Sequence, residues 1–165
     1  MSFKGKTAWI TGASSGIGEA LAAALLEEGA FVILSGRRID ELKRVAGNSG
    51  NATLVHPFEA ADFAVIGDMA KKALDWRGGI DLLVNNAGIS QRSLAVDTSF
   101  EVYRKIVDVD LLAPIALTQA VLPAMVAAGS GHIAAVSSVA GKVGAPLRTA
   151  YCAAKHGVTG YFDAL

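Results

Sequence analysis

The chain has 165 residues, enough for one domain with a hydrophobic core of ordinary size. Its 15 basic and 15 acidic residues cancel, so there is no electrostatic basis for binding nucleic acid or an anionic membrane surface. The single cysteine, Cys152, excludes an internal disulfide, and no cysteine or histidine cluster has metal-ligand spacing. These features favour a metal-free protein of the reducing cytoplasm.

Apolar runs of strand length alternate with longer helical patterns along the chain. The predicted strands cover residues 7–10, 31–35, 53–56, 80–85 and 132–137. The predicted helices cover residues 19–28, 40–46, 62–76 with Asp62 as N-cap, a stretch from Phe100 that breaks near Asp110 and Pro114, and the segment from Tyr151 to Leu165. This alternation predicts right-handed βαβ units. The expected fold is one α/β domain over residues 1–165, a doubly wound, Rossmann-like parallel sheet with five strands.

One segment, from Leu111 to Ala128, is uncharged and nearly long enough to span a bilayer. It contains Pro114 and Pro123 and the polar pair Thr118 and Gln119, and it lacks flanking aromatic or basic anchors. We therefore expect a buried or interface helix and no membrane contact.

A glycine-rich turn follows the first predicted strand, at the place where dinucleotide-binding folds hold the pyrophosphate. Gly12 allows a tight turn, Gly16 allows a ligand to approach the backbone, and Gly18 allows the helix to pack closely on the strand. The free N–H groups of the following helix would attract a phosphate. The alternative is a glycine-rich connector without a ligand, because glycine spacing alone is a weak signal.

The glycine spacing and three later motifs together resemble the short-chain dehydrogenase/reductase family over essentially the whole chain. The motifs are the turn Thr11–Gly18, the sequence Asn85-Asn86-Ala87-Gly88, Ser138, and the pair Tyr151 and Lys155 in the pattern Y-x-x-x-K. The resemblance implies an oxidoreductase that transfers hydride between a nicotinamide dinucleotide and a small carbonyl or alcohol substrate.

The residues after the second strand indicate which dinucleotide is bound. Many NAD enzymes have a carboxylate there for the ribose hydroxyls, whereas this chain has Gly36, Arg37 and Arg38. Arg37 is placed to pair with a 2′-phosphate, with hydroxyls of Ser14 or Ser15 as further donors, so NADP is favoured over NAD. The alternative is that the arginines are a solvated helix start. With the resemblance, the predicted cofactor-binding residues are Gly12, Ser14, Ser15, Gly16, Ile17, Gly18, Arg37, Arg38, Glu59 (where the family often has Asp), Asn86, Ala87, Gly88, Tyr151 and Lys155.

The predicted catalytic residues are Ser138, Tyr151, Lys155 and Asp110. Tyr151 and Lys155 are four residues apart and therefore share a helix face. A tyrosine phenol ordinarily has a pKa of about 10, and a nearby ammonium favours its ionised form. The resemblance implies that Ser138 polarises the substrate carbonyl, that Tyr151 donates the proton and that Lys155 binds the nicotinamide ribose. Asp110 stands where the family commonly has Asn. This difference indicates either that the carboxylate adjusts the chemistry of the site or that the site simply tolerates the substitution.

The family generally continues past the Y-x-x-x-K helix into two further strands and a substrate lid, which residues 1–165 do not contain. We therefore expect the fifth strand to lie at the sheet edge and the chain alone to show little turnover. The alternative function is a non-catalytic nucleotide-binding or subunit-assembly domain. The resemblance also implies a homo-oligomer that pairs through the segment from Leu111 to Ala128 and the helix from Tyr151 to Leu165.

Overall fold

The computed structural model describes residues 2–165, whose centre is a parallel sheet. Its strands are β1 (Thr7–Thr11), β2 (Phe31–Ser35), β3 (Thr53–Val55), β4 (Leu82–Asn85) and β5 (His132–Ala135). All pairs are parallel, in the order β3-β2-β1-β4-β5, with register pairs such as Ile10 with Leu34 and Ile10 with Val84. The predicted five-stranded α/β fold is confirmed, and β5 lies at one edge of the sheet among these residues.

Helices cover both faces of the sheet, because strand side chains point alternately to the two sides. The helices are α1 (Gly16–Glu27), α2 (Ile39–Ala46), α3 (Ile66–Arg77), α4 (Phe100–Val107), α5 (Ala113–Ala128) and α6 (Thr149–Ala164). Val32 and Leu34 of β2 pack with Leu25 of α1 and Leu42 of α2. Ile33, between them, packs on the other face, in a cluster that includes residues of α3 and α5. One strand thus contributes to two cores, which explains its continuous apolar sequence.

The predicted start of α3 at Asp62 is wrong. The helix begins at Ile66, and Val65 occupies the N-cap position. The Asp62 carbonyl accepts from the Val65 N–H at 3.3 Å, so residues 62–65 form a turn. The apolar positions that contact the sheet begin only at Ile66, and their burial sets the helix start.

The predicted break near Asp110 and Pro114 is confirmed for the regular α-helix, which is interrupted there, although the chain stays helical from Phe100 to Ala128. A π-helical turn, Asp108–Leu112, joins α4 to α5, and the Ala113 N–H donates to the Asp108 carbonyl. Pro114 has no N–H to donate, and in a regular α-helix its ring would clash with the carbonyl four residues earlier. The wider π-turn accommodates the missing donor and the ring. The joined helix has 29 residues and is long and apolar enough to cross a membrane, although Leu117, Val121 and Met125 pack against the sheet. The absence of membrane contact stays a prediction, as does pairing of subunits through α5 and α6.

A buried histidine makes the stability of the fold depend on pH. His56 lies between Trp9 and Phe58, and its Nε2 is 3.0 Å from the Met69 carbonyl oxygen. Burial lowers the pKa of His56 from its ordinary 6.5, because it penalises the imidazolium. The unfolded chain therefore binds this proton more readily than the native protein does.

We expect His56 to make the protein less stable as the pH falls below about 6.5, by up to roughly 1.4 kcal/mol per pH unit. His56→Gln keeps a donor for the Met69 carbonyl but cannot be protonated, so it should flatten this acid slope. The slope is measured from urea unfolding midpoints between about pH 7 and pH 5, an interval that includes the reference pKa of histidine. His132 is exposed, and His132→Gln is the matched control. Equal slopes in wild type and His56→Gln would contradict the assignment.

Candidate active site

Two turns at the carboxyl ends of β1 and β4 are locked together. The Thr11 hydroxyl oxygen accepts hydrogen bonds from the backbone N–H groups of Asn86 and Ala87, both at 3.0 Å. In the other direction, Asn86 Nδ2 donates to the carbonyls of Thr11 at 2.9 Å and Gly12 at 3.2 Å. Four hydrogen bonds therefore hold the glycine turn after β1 against the Asn-Asn-Ala-Gly turn after β4.

The glycines of the first turn serve different purposes. Gly12 has φ of +65°, and a Cβ there would lie 2.8 Å from Ala87 Cα. A Cβ on Gly18 would lie 2.4 Å from the Gly12 carbonyl oxygen, so helix and turn touch at backbone distance. Gly16 is different, because no atom lies within 4 Å of the position that a Cβ would take. The backbone at Gly16 is therefore open to a ligand at the start of α1.

A cavity of about 350 Å³ lies over these turns, in the size range of small-molecule sites. Ser15, the N-cap of α1, makes no capping hydrogen bond through its side chain, so the first N–H groups of the helix are left for an anion. These features fit a dinucleotide phosphate. Of the predicted cofactor-binding residues, the lining includes Gly12, Ser14, Ser15, Ile17, Arg37, Arg38, Glu59, Asn86, Ala87 and Gly88.

The two arginines after β2 have different partners. Arg38 Nη2 donates to the hydroxyls of Ser14 at 3.0 Å and Ser15 at 2.6 Å. Arg37 has a different partner, since its Nη1 lies 3.5 Å from Glu59 Oε2 in an exposed ion pair. Arg38 and the two serines therefore gather donors at one place, whereas the charge of Arg37 is partly offset by Glu59.

Tyr151 and Lys155 lie on one face of α6, as predicted. Lys155 is 5% exposed, and its Nζ donates to the Val136 carbonyl at 3.0 Å. The same Nζ lies 5.6 Å from the centre of the Tyr151 ring, and the Arg148 guanidinium lies 5.9 Å from that ring. Two cations thus lie within 6 Å of the centre of the Tyr151 ring.

Ser138 follows β5 and caps a short 3₁₀ turn, Val139–Gly141, where its Oγ accepts from the Ala140 N–H at 3.1 Å. A Cβ on Gly141 would lie 2.7 Å from the Lys155 carbonyl oxygen, so this turn packs directly on α6. The hydrogen bond from Lys155 to Val136, two residues before Ser138, fixes the same contact. The segment that carries Ser138 is therefore held against the helix that carries Tyr151.

Asp110 lies between Lys155 and the wall of the cavity. Its side chain is fully buried, and its Oδ1 accepts from the Ile89 N–H at 2.7 Å. Its Oδ2 lies 3.4 Å from Lys155 Nζ. That oxygen would also lie 3.1 Å from a Cβ on Gly88, which lines the cavity. Ser138, Tyr151 and Lys155 do not themselves line this cavity, and Asp110 links Lys155 to its wall.

Comparison with known proteins identifies the family of the chain. The family model described as short chain dehydrogenase matches residues 6–165. The chain belongs to this family.

Relatives and solved structures of the short-chain dehydrogenase family match nearly all of the chain. Human "Dehydrogenase/reductase SDR family member 7" is 44% identical over 164 residues, 95% of this chain and 48% of the relative. Mouse member 7B is 42% identical over 163 residues, 94% of this chain and 50% of the relative. A short-chain dehydrogenase from Streptomyces avermitilis has a TM-score of 0.94 at 31% identity, over 99% of this chain and 60% of that one. A metagenomic short-chain oxidoreductase in complex with NADP has a TM-score of 0.94 at 34% identity, over 99% of this chain and 76% of that one. The chain spans about half the length of the curated relatives it matches.

Several residues of this family site were not predicted from the sequence. Thr11 was seen only as part of the glycine motif, although its hydroxyl joins the two turns. The Val136 carbonyl and the Ile89 N–H hold Lys155 and Asp110, and such backbone groups have no sequence signal. Lys105 lines the cavity from α4 and was also missed. The position of Thr11, at the end of a buried strand and directly before a glycine turn, was the one available clue.

Proposed function

We propose that the protein is an NADP(H)-dependent oxidoreductase that interconverts a carbonyl compound and the corresponding alcohol. The observation that carries this proposal is the buried Lys155 ammonium 5.6 Å from the Tyr151 ring, in a protein whose two locked turns line a cavity of about 350 Å³. When bound, the reduced dinucleotide would supply the hydride, which is both electrons of the reduction, to the carbonyl carbon.

The chain's own residues supply the proton and the alignment. Tyr151 would donate its phenolic proton to the carbonyl oxygen and would later regain it from water, while Ser138 donates a hydrogen bond to the same oxygen. Lys155 is anchored by the Val136 carbonyl, so its ammonium stays near the phenol and stabilises the negative charge left on it. In alcohol oxidation the same groups would act in reverse.

Residues 90–96 and residues 143–147, which would flank the substrate, touch each other near the start of α6. The Ser93 N–H donates to the Leu147 carbonyl at 3.0 Å, and Arg148 donates to the Ser90 hydroxyl. Leu147 has φ of +65°, a costly conformation for a leucine, directly before α6. These contacts support a substrate position next to the first turn of α6.

The proposal is tested with the purified full-length protein, NADPH and a panel of ketones and aldehydes, by following the absorbance of the reduced nicotinamide. Turnover supports an oxidoreductase. Cofactor binding without turnover of any member of the panel would favour the alternative, a nucleotide-binding domain without catalysis.

For cofactor choice, we expect Arg38→Ala to weaken NADPH binding by about tenfold to a hundredfold, because a charge-assisted hydrogen bond contributes roughly 1.5–3 kcal/mol. NADH binding should change little, since NADH has no 2′-phosphate. Arg37→Ala is the matched variant and should have the smaller effect, because Glu59 already offsets the charge of Arg37. Fluorescence titration of both cofactors measures the affinities. A larger loss of NADPH affinity in Arg37→Ala than in Arg38→Ala would indicate that Arg37 contacts the 2′-phosphate, as the sequence predicted.

A further inference from the structure

Arg148 is a half-buried arginine with no carboxylate in ion-pair contact among residues 2–165. Within the same residues its side chain makes one hydrogen bond, to the neutral and exposed Ser90 hydroxyl. A guanidinium carries its N–H donors in a planar fork, so most of these donors have no protein acceptor. Lys155 differs, because its ammonium lies 3.4 Å from the Asp110 carboxylate. Arg148 therefore presents a positive charge that no acidic side chain offsets.

This charge lies beside the proposed proton donor. The guanidinium carbon of Arg148 is 5.9 Å from the centre of the Tyr151 ring. Its hydrogen-bond partner, Ser90, begins the segment 90–96, and the segment 143–147 ends directly before it. These are the two segments that would flank the substrate. Arg148 thus lies where both segments meet the helix that carries Tyr151.

The backbone holds Arg148 in this place at an energetic cost. Its N–H donates to the Ala145 carbonyl at 3.2 Å, and its carbonyl accepts from the Cys152 N–H at 2.8 Å. The preceding residue, Leu147, has φ of +65°, which is costly for a leucine. Arg148 is also the N-cap residue of α6, where the helix dipole disfavours a cation. These costs argue that Arg148 serves a ligand rather than the stability of the fold.

We propose that Arg148 binds a carboxylate group of the substrate, so that the substrate is a carbonyl compound that also bears a carboxylate. The inference rests on the proposed function, since it assigns a second functional group to the molecule that Tyr151 would protonate. A guanidinium and a carboxylate fit each other through two parallel, charge-assisted hydrogen bonds. The positive end of the α6 dipole adds to the attraction.

The proposal also defines the product. On reduction the carbonyl carbon gains the hydride, its oxygen gains the Tyr151 proton, and the dinucleotide is oxidised. The carboxylate is unchanged, so the product is the corresponding hydroxy acid. Because Arg148 and Tyr151 are fixed on the same helix, the anion would orient the carbonyl toward the phenol.

The test compares acids with their methyl esters in the full-length protein. Levulinate and methyl levulinate are one pair of ketones, and para-carboxybenzaldehyde and its methyl ester are one pair of aldehydes. Each ester keeps the carbonyl and the approximate shape of its acid but has no charge. We expect kcat/KM for reduction with NADPH to be about tenfold to a hundredfold higher for the acid in at least one pair.

Arg148→Gln separates the charge from the hydrogen bond to Ser90, because glutamine is a neutral donor. It should lower kcat/KM for the preferred acid by about tenfold to a hundredfold and leave that for the ester within a few-fold. Arg148→Lys keeps the charge without the planar fork, and it should show a smaller loss, again confined to the acid. It provides the same comparison if Arg148→Gln does not fold, and circular dichroism checks the fold of each variant.

Arg104→Gln is the matched control, because Arg104 is exposed on α4 and lines a different cavity with Phe100 and Asp108. It should leave the rates for acid and ester unchanged. An equal loss for acid and ester in Arg148→Gln would show that Arg148 only ties the segment 90–96 to α6, and it would overturn the proposal. Absence of a preference for the acid in both pairs would also overturn it.

Calorimetric titration with the same acids and esters gives a measurement without turnover. The wild type should bind the preferred acid more tightly than its ester, and Arg148→Gln should lose this difference. That result in a protein that reduces no carbonyl compound would support the carboxylate site and refute the proposed function. Equal reduction of acids and esters by the wild type and by Arg148→Gln would refute the carboxylate site and support the proposed function.

Discussion

Tyr151→Phe should lower the rate of carbonyl reduction by about 10²- to 10⁴-fold, which is the usual contribution of a general acid. The affinity for the cofactor should stay within a few-fold of that of the wild type. The phenolic hydroxyl is the group that would deliver the proton, whereas the ring would remain to pack beside Lys155 and Arg148. Steady-state rates with NADPH and fluorescence titration of the same variant separate catalysis from binding.

Tyr103→Phe is the matched control for this substitution. Tyr103 lies on α4, where its hydroxyl contacts the Thr149 hydroxyl at 2.8 Å at the start of α6. Its loss removes one exposed hydrogen bond near the site but no proposed proton donor, so the rate should change by only a few-fold. Turnover by Tyr151→Phe near the wild-type rate would exclude Tyr151 as the acid.

The fold was predictable because two independent signals agree. Uninterrupted apolar runs such as Phe31–Ser35 are typical of strands covered on both faces, and β2 indeed contributes to both cores. The glycine turn then locates the carboxyl end of β1 and, with it, the edge of the sheet where ligands bind. Neither signal depends on the conformation of any single side chain.

The errors came from features in which packing overrides local preference. Asp62 has a good N-cap side chain, but α3 begins where its apolar face reaches the sheet, at Ile66. Pro114 correctly indicated an interruption of the α-helix, but not that a π-turn would keep the chain helical there. A proline in a helical pattern predicts the end of the helix, because no sequence pattern indicates the wider turn.

The site was predictable in its residues but only partly in its contacts. Adjacent arginines cannot be distinguished by spacing, and the hydrogen bonds of Arg38 to Ser14 and Ser15 depend on how the turn after β1 packs beside α2. For Asp110, the sequence indicated a departure from the family residue but not that one carboxylate oxygen would be buried beside Lys155. Such pairings depend on how α6 and the π-turn pack, which is a tertiary property.

The second large effect is expected at Gly18, where even one methyl group should disrupt the cofactor site. A Cβ at this position would lie 2.4 Å from the Gly12 carbonyl oxygen and 2.7 Å from Asn86 Nδ2, distances far inside van der Waals contact. Both neighbours are held, because Asn86 donates to the carbonyls of Thr11 and Gly12. Gly18→Ala should therefore force α1 away from the turn, at a cost of about 1–3 kcal/mol or more.

That displacement would move the N-terminus of α1, where the cofactor phosphates are expected, so we predict at least a roughly tenfold loss of NADPH affinity with a fall in Tm of several degrees. Gly67→Ala is the matched control, since Gly67 also lies in the first turn of a helix and has no atom within 4 Å of its added Cβ. Alanine is the better helix former, so this variant should be as stable as wild type or slightly more so. Thermal melts and NADPH titrations of the two variants decide the point. If Gly18→Ala binds NADPH as wild type does, the close packing of α1 on the glycine turn is not what positions the phosphate site.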